Sequence, residues 1–354
     1  MSVIVKGGGG KSSGLYVWKK YKNIPCLSFI GNEDFTLKIA NNITNWNGTL
    51  EYSTDTTTWS TWDGTEISSS GNNLYLRGTG NTKISNGMED SRFVFTGSDL
   101  LRISCEGNIE NLLDYEIASK GNHPNMDESC YQYIFCYCTS LIAAPELQAT
   151  TLTNNCYQNM FEGCTSLATA PELPATTLAN NCYENMFYDC TSLIIAPNLP
   201  ATILAAYCYD EMFCGCTSLT TVPELPATTL AKYCYYSMFY GCTSLTTAPA
   251  LPATTLANSC YSNMFSGCTS LTTALALPAT TLADRCYFNM FRGCINIKLS
   301  TTQTGEYQTA YRIPTSGTGA TATNALVDMF KGTGGTFTGA PSINTTYYTS
   351  NTVV

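Results

Sequence analysis

Two hydrophobic periodicities divide this chain. From about residue 26 to residue 104, apolar and polar positions alternate in short runs: Phe35-Thr36-Leu37-Lys38-Ile39, Thr49-Leu50-Glu51-Tyr52-Ser53, Leu74-Tyr75-Leu76-Arg77 and Arg92-Phe93-Val94-Phe95. Runs of this period, separated by turns rich in Asn, Gly and Asp, predict a small all-β, sandwich-like domain. From Cys130 onward the spacing changes. Cys156, Met160, Phe161 and Cys164 fall at i, i+4, i+5 and i+8, with Tyr157 beside Phe161, which predicts one face of a two-turn helix. Gly163, Gly215, Gly241, Gly267 and Gly293 stand where a left-handed residue ends a helix, and Asn154-Asn155 and Asn180-Asn181 offer N-caps. Leu167, Ala170 and Leu173 then line a return path that Pro171 and Pro174 restrict to short extended pieces.

That unit repeats. Cys130, Cys156, Cys182, Cys208, Cys234, Cys260 and Cys286 are 26 residues apart, each followed by a second Cys eight residues later. A fixed period of this size predicts a solenoid whose coils bury their apolar sides only against neighbours. The expected fold is therefore an α/β solenoid of 26-residue coils, each a short helix plus a short strand, preceded by the sandwich-like domain.

The remaining stretches complete the division. Residues 1–25, with four consecutive glycines, are expected to form an arm, residues 26–104 the β domain and residues 105–129 a connector. In the connector, Ile109-Glu110-Asn111-Leu112-Leu113-Asp114-Tyr115 predicts a short helix covering the first coil. Residues 130–297 carry the repeats and residues 298–324 a Thr/Gly-rich insertion. In residues 325–354, Met329-Phe330-Lys331-Gly332 marks a degenerate capping repeat that has lost both cysteines.

Composition narrows the chemistry. Charged residues are 12% of the chain and the net charge is −9, with no basic stripe, which argues against a nucleic-acid partner. No run of apolar residues is long enough to predict a membrane span. Residues 1–11 lack an apolar signal region, so the chain is expected to be made in the cytosol. Fourteen of the 18 cysteines recur with the coil period, which predicts columns of reduced, buried thiols rather than a disulfide scaffold. A C-x7-C spacing and one histidine, His123, do not make a zinc site. Gly10-Lys11-Ser12 is not a phosphate loop, because the pattern needs Gly where Val5 stands. No cofactor is expected.

Met160-Phe161 with Gly163-Cys164-Thr165-Ser166-Leu167, echoed from Met186, Met212, Met238, Met264 and Met290, resembles the leucine-rich repeats of the BspA type. These carry an aromatic residue, then Gly-Cys-x-Ser-Leu, then a Pro-bounded strand. The resemblance covers residues 130–297, with a fainter copy to 343, although the 26-residue unit is longer than usual for the type. Such repeats occur in bacterial surface adhesins and in tail or fibre proteins of gut bacteriophages. With no secretion signal, the resemblance implies a virion protein of the tail, fibre or collar, assembled in the host cytoplasm; a bacterial cell-surface adhesin is the alternative. It also implies other virion proteins as partners of the N-terminal region, a host-surface glycan or protein as partner of the solenoid, and a homo-oligomer.

Catalysis finds little support in the residues. A lone His123 makes no nucleophile triad, and the chain is expected not to be an enzyme. Glu146 and Glu172 occupy equivalent places in adjacent coils, which keeps polysaccharide cleavage by paired carboxylates as an alternative. Trp46, Trp59 and Trp62 are either sandwich core or a sugar-stacking platform, and the Tyr column from Tyr157 to Tyr287 either core or an exposed stripe. Between copies of the repeat, variation concentrates at Gln158, Asn159, Glu184, Asn185, Asp210, Glu211, Tyr236, Ser237, Ser262, Asn263, Phe288 and Asn289. These positions map to the outward face of the predicted helix and form the candidate binding face.

Overall fold

A computed structural model describes residues 25–350; the expected arm therefore lies, apart from Pro25, outside the described residues. The alternating segments form β1 (Leu27–Gly31), β2 (Thr36–Ile39), β3 (Thr49–Ser53), β4 (Ser60–Trp62), β5 (Ile67–Ser68), β6 (Asn73–Thr79), β7 (Phe93–Thr96) and β8 (Ile103–Glu106). One sheet runs β4-β3-β6-β1-β8 and continues into β9 (Leu141–Ala143), which belongs to the first repeat; the other is β5-β2-β7. All pairings are antiparallel except β8 with β9. Phe29 of β1 reaches Phe93 and Phe95 of β7 at ring separations of 5.8 and 5.2 Å, joining the two sheets through one aromatic core.

The connector helix is α1 (Asn111–Ala118), broken at Asp114, whose backbone is extended. The Asp114 carboxylate accepts the N–H groups of Glu116 and Ile117 and so caps the second turn. The helix lies against β6 rather than on the first coil: a side chain at Gly78 would run into the Leu112 carbonyl. The edge of the first coil is instead covered by β8 and the chain just after it. Ile109 N–H donates to the Glu146 carbonyl, Glu146 N–H to the Gly107 carbonyl, and the Tyr131 hydroxyl to the Ile109 carbonyl at 3.3 Å.

The repeats do not contain the predicted helix. Between residues 155 and 164, the N–H groups of Asn155, Tyr157, Asn159, Phe161 and Gly163 donate to the carbonyls of Asn180, Asn181's neighbour Cys182, Glu184, Met186 and Tyr188 in the next coil. The intervening N–H groups of Gln158, Met160, Glu162 and Cys164 donate three residues back. The backbone turns left-handed at every fourth residue, at Asn155 (φ 56°), Asn159 (φ 57°) and Gly163 (φ 67°), and likewise in later coils. The result is a ribbon of consecutive turns that is half-bonded to itself and half-bonded to its neighbour. Its cause is visible in the apolar spacing. Cys156, Met160 and Cys164 repeat every four residues, whereas four residues of helix turn through about 400° and would rotate such a column off the core.

The return path is also less regular than expected. Its prolines leave single parallel bridges, Thr151 to Thr177, Thr169 to Ile195, Ile195 to Thr221 and Thr229 to Thr255, in place of a strand per coil. Each coil lays Cys, Tyr, Met and Phe on those of the next, all essentially inaccessible. The Tyr rings stack at 5.6–5.9 Å from Tyr131 to Tyr287. The Phe rings stack at 5.5–5.8 Å from Phe135 to Phe330. From Cys164 onward the second Cys of each coil donates its thiol to a Phe carbonyl of the coil before, as Cys164 does to Phe135 and Cys190 to Phe161, both at 3.1 Å, and in the first coil Cys138 donates to the Phe93 carbonyl of the β domain at 3.2 Å. All 18 cysteines are free and buried.

The ladder ends on the degenerate copy. Tyr287, Asn289, Phe291 and Gly293 donate to Ala325, Val327, Met329 and Lys331, a step 13 residues longer than elsewhere. The extra chain holds β10 (Leu299–Ser300) and β11 (Thr309–Arg312), which flank β12 (Thr346–Thr349) in a three-stranded sheet. Tyr311 meets Phe330 edge-on at 5.7 Å and closes the aromatic column. Among the described residues, no helix is long and apolar enough to cross a membrane.

Candidate binding groove

The turn ribbon decides which side chains reach the surface. In each four-residue step two consecutive residues point into the stack, as Cys156-Tyr157 and Met160-Phe161 do. The other two, a left-handed residue and the one before it, form the outward columns. The twelve predicted face residues all lie in these columns but are not equally accessible. Gln158, Glu184, Asn185, Glu211, Tyr236, Asn263 and Phe288 are half-buried, while Asn159, Asp210, Ser237, Ser262 and Asn289 are buried, at 2–9% exposure. These five are a correction to the predicted face. On a helix they would project into solvent; on this ribbon the coils approach so closely that equivalent side chains cover one another.

A groove of about 510 Å³ opens over the middle and later coils. It brings together Glu211, Tyr236, Ser237, Asn263 and Asn289 from the predicted face with Tyr188, Cys214, Tyr240, Ser266 and Arg292, equivalent places in successive copies that also vary in the sequence and are expected on the same outward face. The remaining predicted residues, Gln158, Asn159, Glu184, Asn185, Asp210, Ser262 and Phe288, are not among its lining. In the earlier coils several polar side chains pair with one another, while Oδ1 of Asn159 and of Asn185 is buried without a partner. Gln132 donates to Gln158 at 2.6 Å, Tyr137 to Glu162 at 2.8 Å, Asn159 to the other oxygen of Glu162, and Asn181 to Glu184. In the groove Arg292 is exposed and makes no ion pair among the described residues.

Acidic groups border the groove on one side. Burial, reinforced by Glu184 and Glu211, pushes the Asp210 carboxyl up to about 8, and its Oδ1 is buried with no partner. Burial likewise raises Glu184 and, with help from Glu184 and Glu162, Glu211. Thiols move the same way for the same reason; burial lifts Cys156 and Cys286 to about 12. Neutral thiols and protonated carboxyls are the cheaper forms in a stack this dry.

The other candidates resolve individually. The Tyr column from Tyr157 to Tyr287 is core, with no exposed stripe. Trp46 and Trp62 stack at 5.4 Å inside the β domain, and Trp59 lies under the Arg77 guanidinium at 4.0 Å, so the three form no platform. His123 Nδ1 is 2.9 Å from Oε1 of the buried Glu110. Glu146 and Glu172 are exposed and share a second depression of about 520 Å³ with Pro145, Pro171 and Pro174, where Gln148 donates to Glu146 at 2.9 Å. Among the described residues, no group of three or more His, Cys, Asp or Glu side chains is arranged to hold a metal ion. No protein-family model matches the chain, and neither does any curated protein or solved structure.

Proposed function

We propose that this chain is a non-enzymatic virion protein of the tail, fibre or collar type, whose stacked repeats form a leucine-rich-type solenoid that presents a binding face to a host surface. One observation carries this reading. Positions that vary between copies gather around the groove at Glu211, Tyr236, Tyr240 and Arg292, while the recurring Cys, Tyr, Met and Phe positions are packed inside the stack. Such a division suits a rigid scaffold that displays changeable contacts. In this reading the N-terminal region joins the chain to other virion proteins, and the molecule assembles as a homo-oligomer. The bacterial-adhesin reading uses the same surface and differs in location.

The test is adsorption of the labelled full chain to a panel of encapsulated gut bacteria, alongside Arg292→Ala and Tyr240→Ala variants. Adsorption to a subset of strains, lost in the variants, supports the role. Adsorption to none contradicts it. Polysaccharide cleavage is the second reading, favoured only by the shared depression at Glu146 and Glu172.

A further inference from the structure

Resting on that reading, we propose that the ligand is an oligosaccharide and that its sugar rings stack on a tyrosine patch formed by Tyr207, Tyr233 and Tyr236 at the border of the groove. Tyr207 and Tyr233 lie face to face at 4.8 Å and 6°, closer than any ring pair in the buried Tyr column, and Tyr236 leans on Tyr233 at 5.6 Å and 53°. All three rings are half-buried. Tyr236 also lines the groove, so the patch and the groove are continuous.

The backbone makes these residues informative. Tyr207 and Tyr233 occupy the left-handed position that opens each ribbon, with φ of 58° and 56°. Other coils use Asn155, Asn181, Ser259 and Arg285 there, at φ of 52–59°, none of them with an aromatic ring. Asn tolerates this conformation and the stack closes around it, so the scaffold does not require a ring at either place. A bulky residue held in a disfavoured backbone conformation, with its ring at the surface beside a groove, points to a contact with something outside the chain. Lys232 approaches the Tyr207 ring at 5.6 Å.

The chemistry of the surroundings fits a glycan. A pyranose ring has an apolar face of C–H groups that packs on tyrosine, and a rim of hydroxyls that needs acceptors and donors. Glu211 and Asn263 supply these in the groove, and the unpaired Arg292 offers a fork for the carboxylate of an acidic sugar. The groove volume of about 510 Å³ lies within the range of small-ligand sites.

The experiment uses the full chain and an immobilised panel of neutral and uronic-acid-containing oligosaccharides. The variants are Tyr207→Asn with Tyr233→Asn, which restore the residue found in other coils, and separately Arg292→Ala. Wild type is expected to bind at least one panel member. The double variant should bind about tenfold or more weakly, the loss of a stacking contact, with a melting temperature within about 3 °C of wild type. Arg292→Ala should weaken acidic oligosaccharides more than neutral ones. Failure of wild type to bind any panel member, or unchanged affinity in the double variant, overturns the proposal. Whole-cell adsorption separates the two claims: cells that take up wild type and double variant alike leave the surface-binding role standing without this site, and cells that take up neither remove both.

Discussion

At the scale of single residues, the stack is held by groups kept neutral. Asp210 normally ionises near 3.8 and in the fold near 8, driven first by burial and then by Glu184 and Glu211. A raised carboxyl means the folded chain keeps a proton that the unfolded chain releases. Its contribution to stability is therefore whole below about pH 4 and is lost as the pH climbs through about 8. Asp210→Asn should stabilise the protein at pH 8 by on the order of 2–5 kcal/mol and have no effect near pH 4, as measured by denaturant unfolding at the two pH values. A pH-independent difference would show that the carboxyl is not shifted. The thiols argue similarly. With every cysteine free, buried and harder to ionise, the native chain should resist alkylation at pH 8, and the unfolded, unreduced chain should take up label at all 18. Intact mass decides, and protected pairs in the unfolded chain would contradict the reduced columns.

At the scale of the element, the ribbon makes its own demands. Its left-handed positions are expensive for ordinary side chains, so Gly267→Ala, at φ 78° with only ordinary contact to Gly241, should cost about 1 kcal/mol. Gly163→Ala should cost more, because the added methyl runs into the Tyr137 ring; thermal unfolding of the two variants gives the ranking. Circular dichroism should lack the double minimum of helix. This element was the least legible from sequence, and the reason is physical. Cys156, Met160, Phe161 and Cys164 satisfy a helical face and a strict four-residue step equally well over so short a span. The distinguishing signal lay in the polar residues: Asn155, Asn159 and Gly163, four apart, are the types that accept left-handed backbone. Reading Asn155 as an N-cap and Gly163 as a helix stop assigned two of the three to the ends of a helix and missed Asn159 between them. The same error placed Asp210 and Ser262 on an open face that the ribbon buries.

At the scale of the whole molecule, one apolar core runs from the β domain to the closing sheet, so the sequence boundary at residues 105–129 is a change of pattern rather than a break in packing. The 26-residue step, the inward columns and the worn last copy were readable because each is a matter of register, which the repeat states openly. The covering of the first coil by β8 was not, since strand partners so far apart in sequence leave no local trace. Register also predicts what deletion does. Removing residues 156–181, one full period, should leave a chain that unfolds cooperatively, because Asn155 then meets the next copy in phase. Met212→Asp, by contrast, places an unpaired charge inside the stack and should abolish cooperative unfolding.

The central claim is that the stack binds a surface glycan without cutting it. It is tested most directly by incubating the full chain with capsular polysaccharides of gut bacteria and recording retention and new reducing ends in the same sample. Retention with no new reducing ends is the predicted result. New reducing ends, abolished by Glu146→Gln or Glu172→Gln, would contradict it and move the chemistry to the exposed carboxylates of the first two coils.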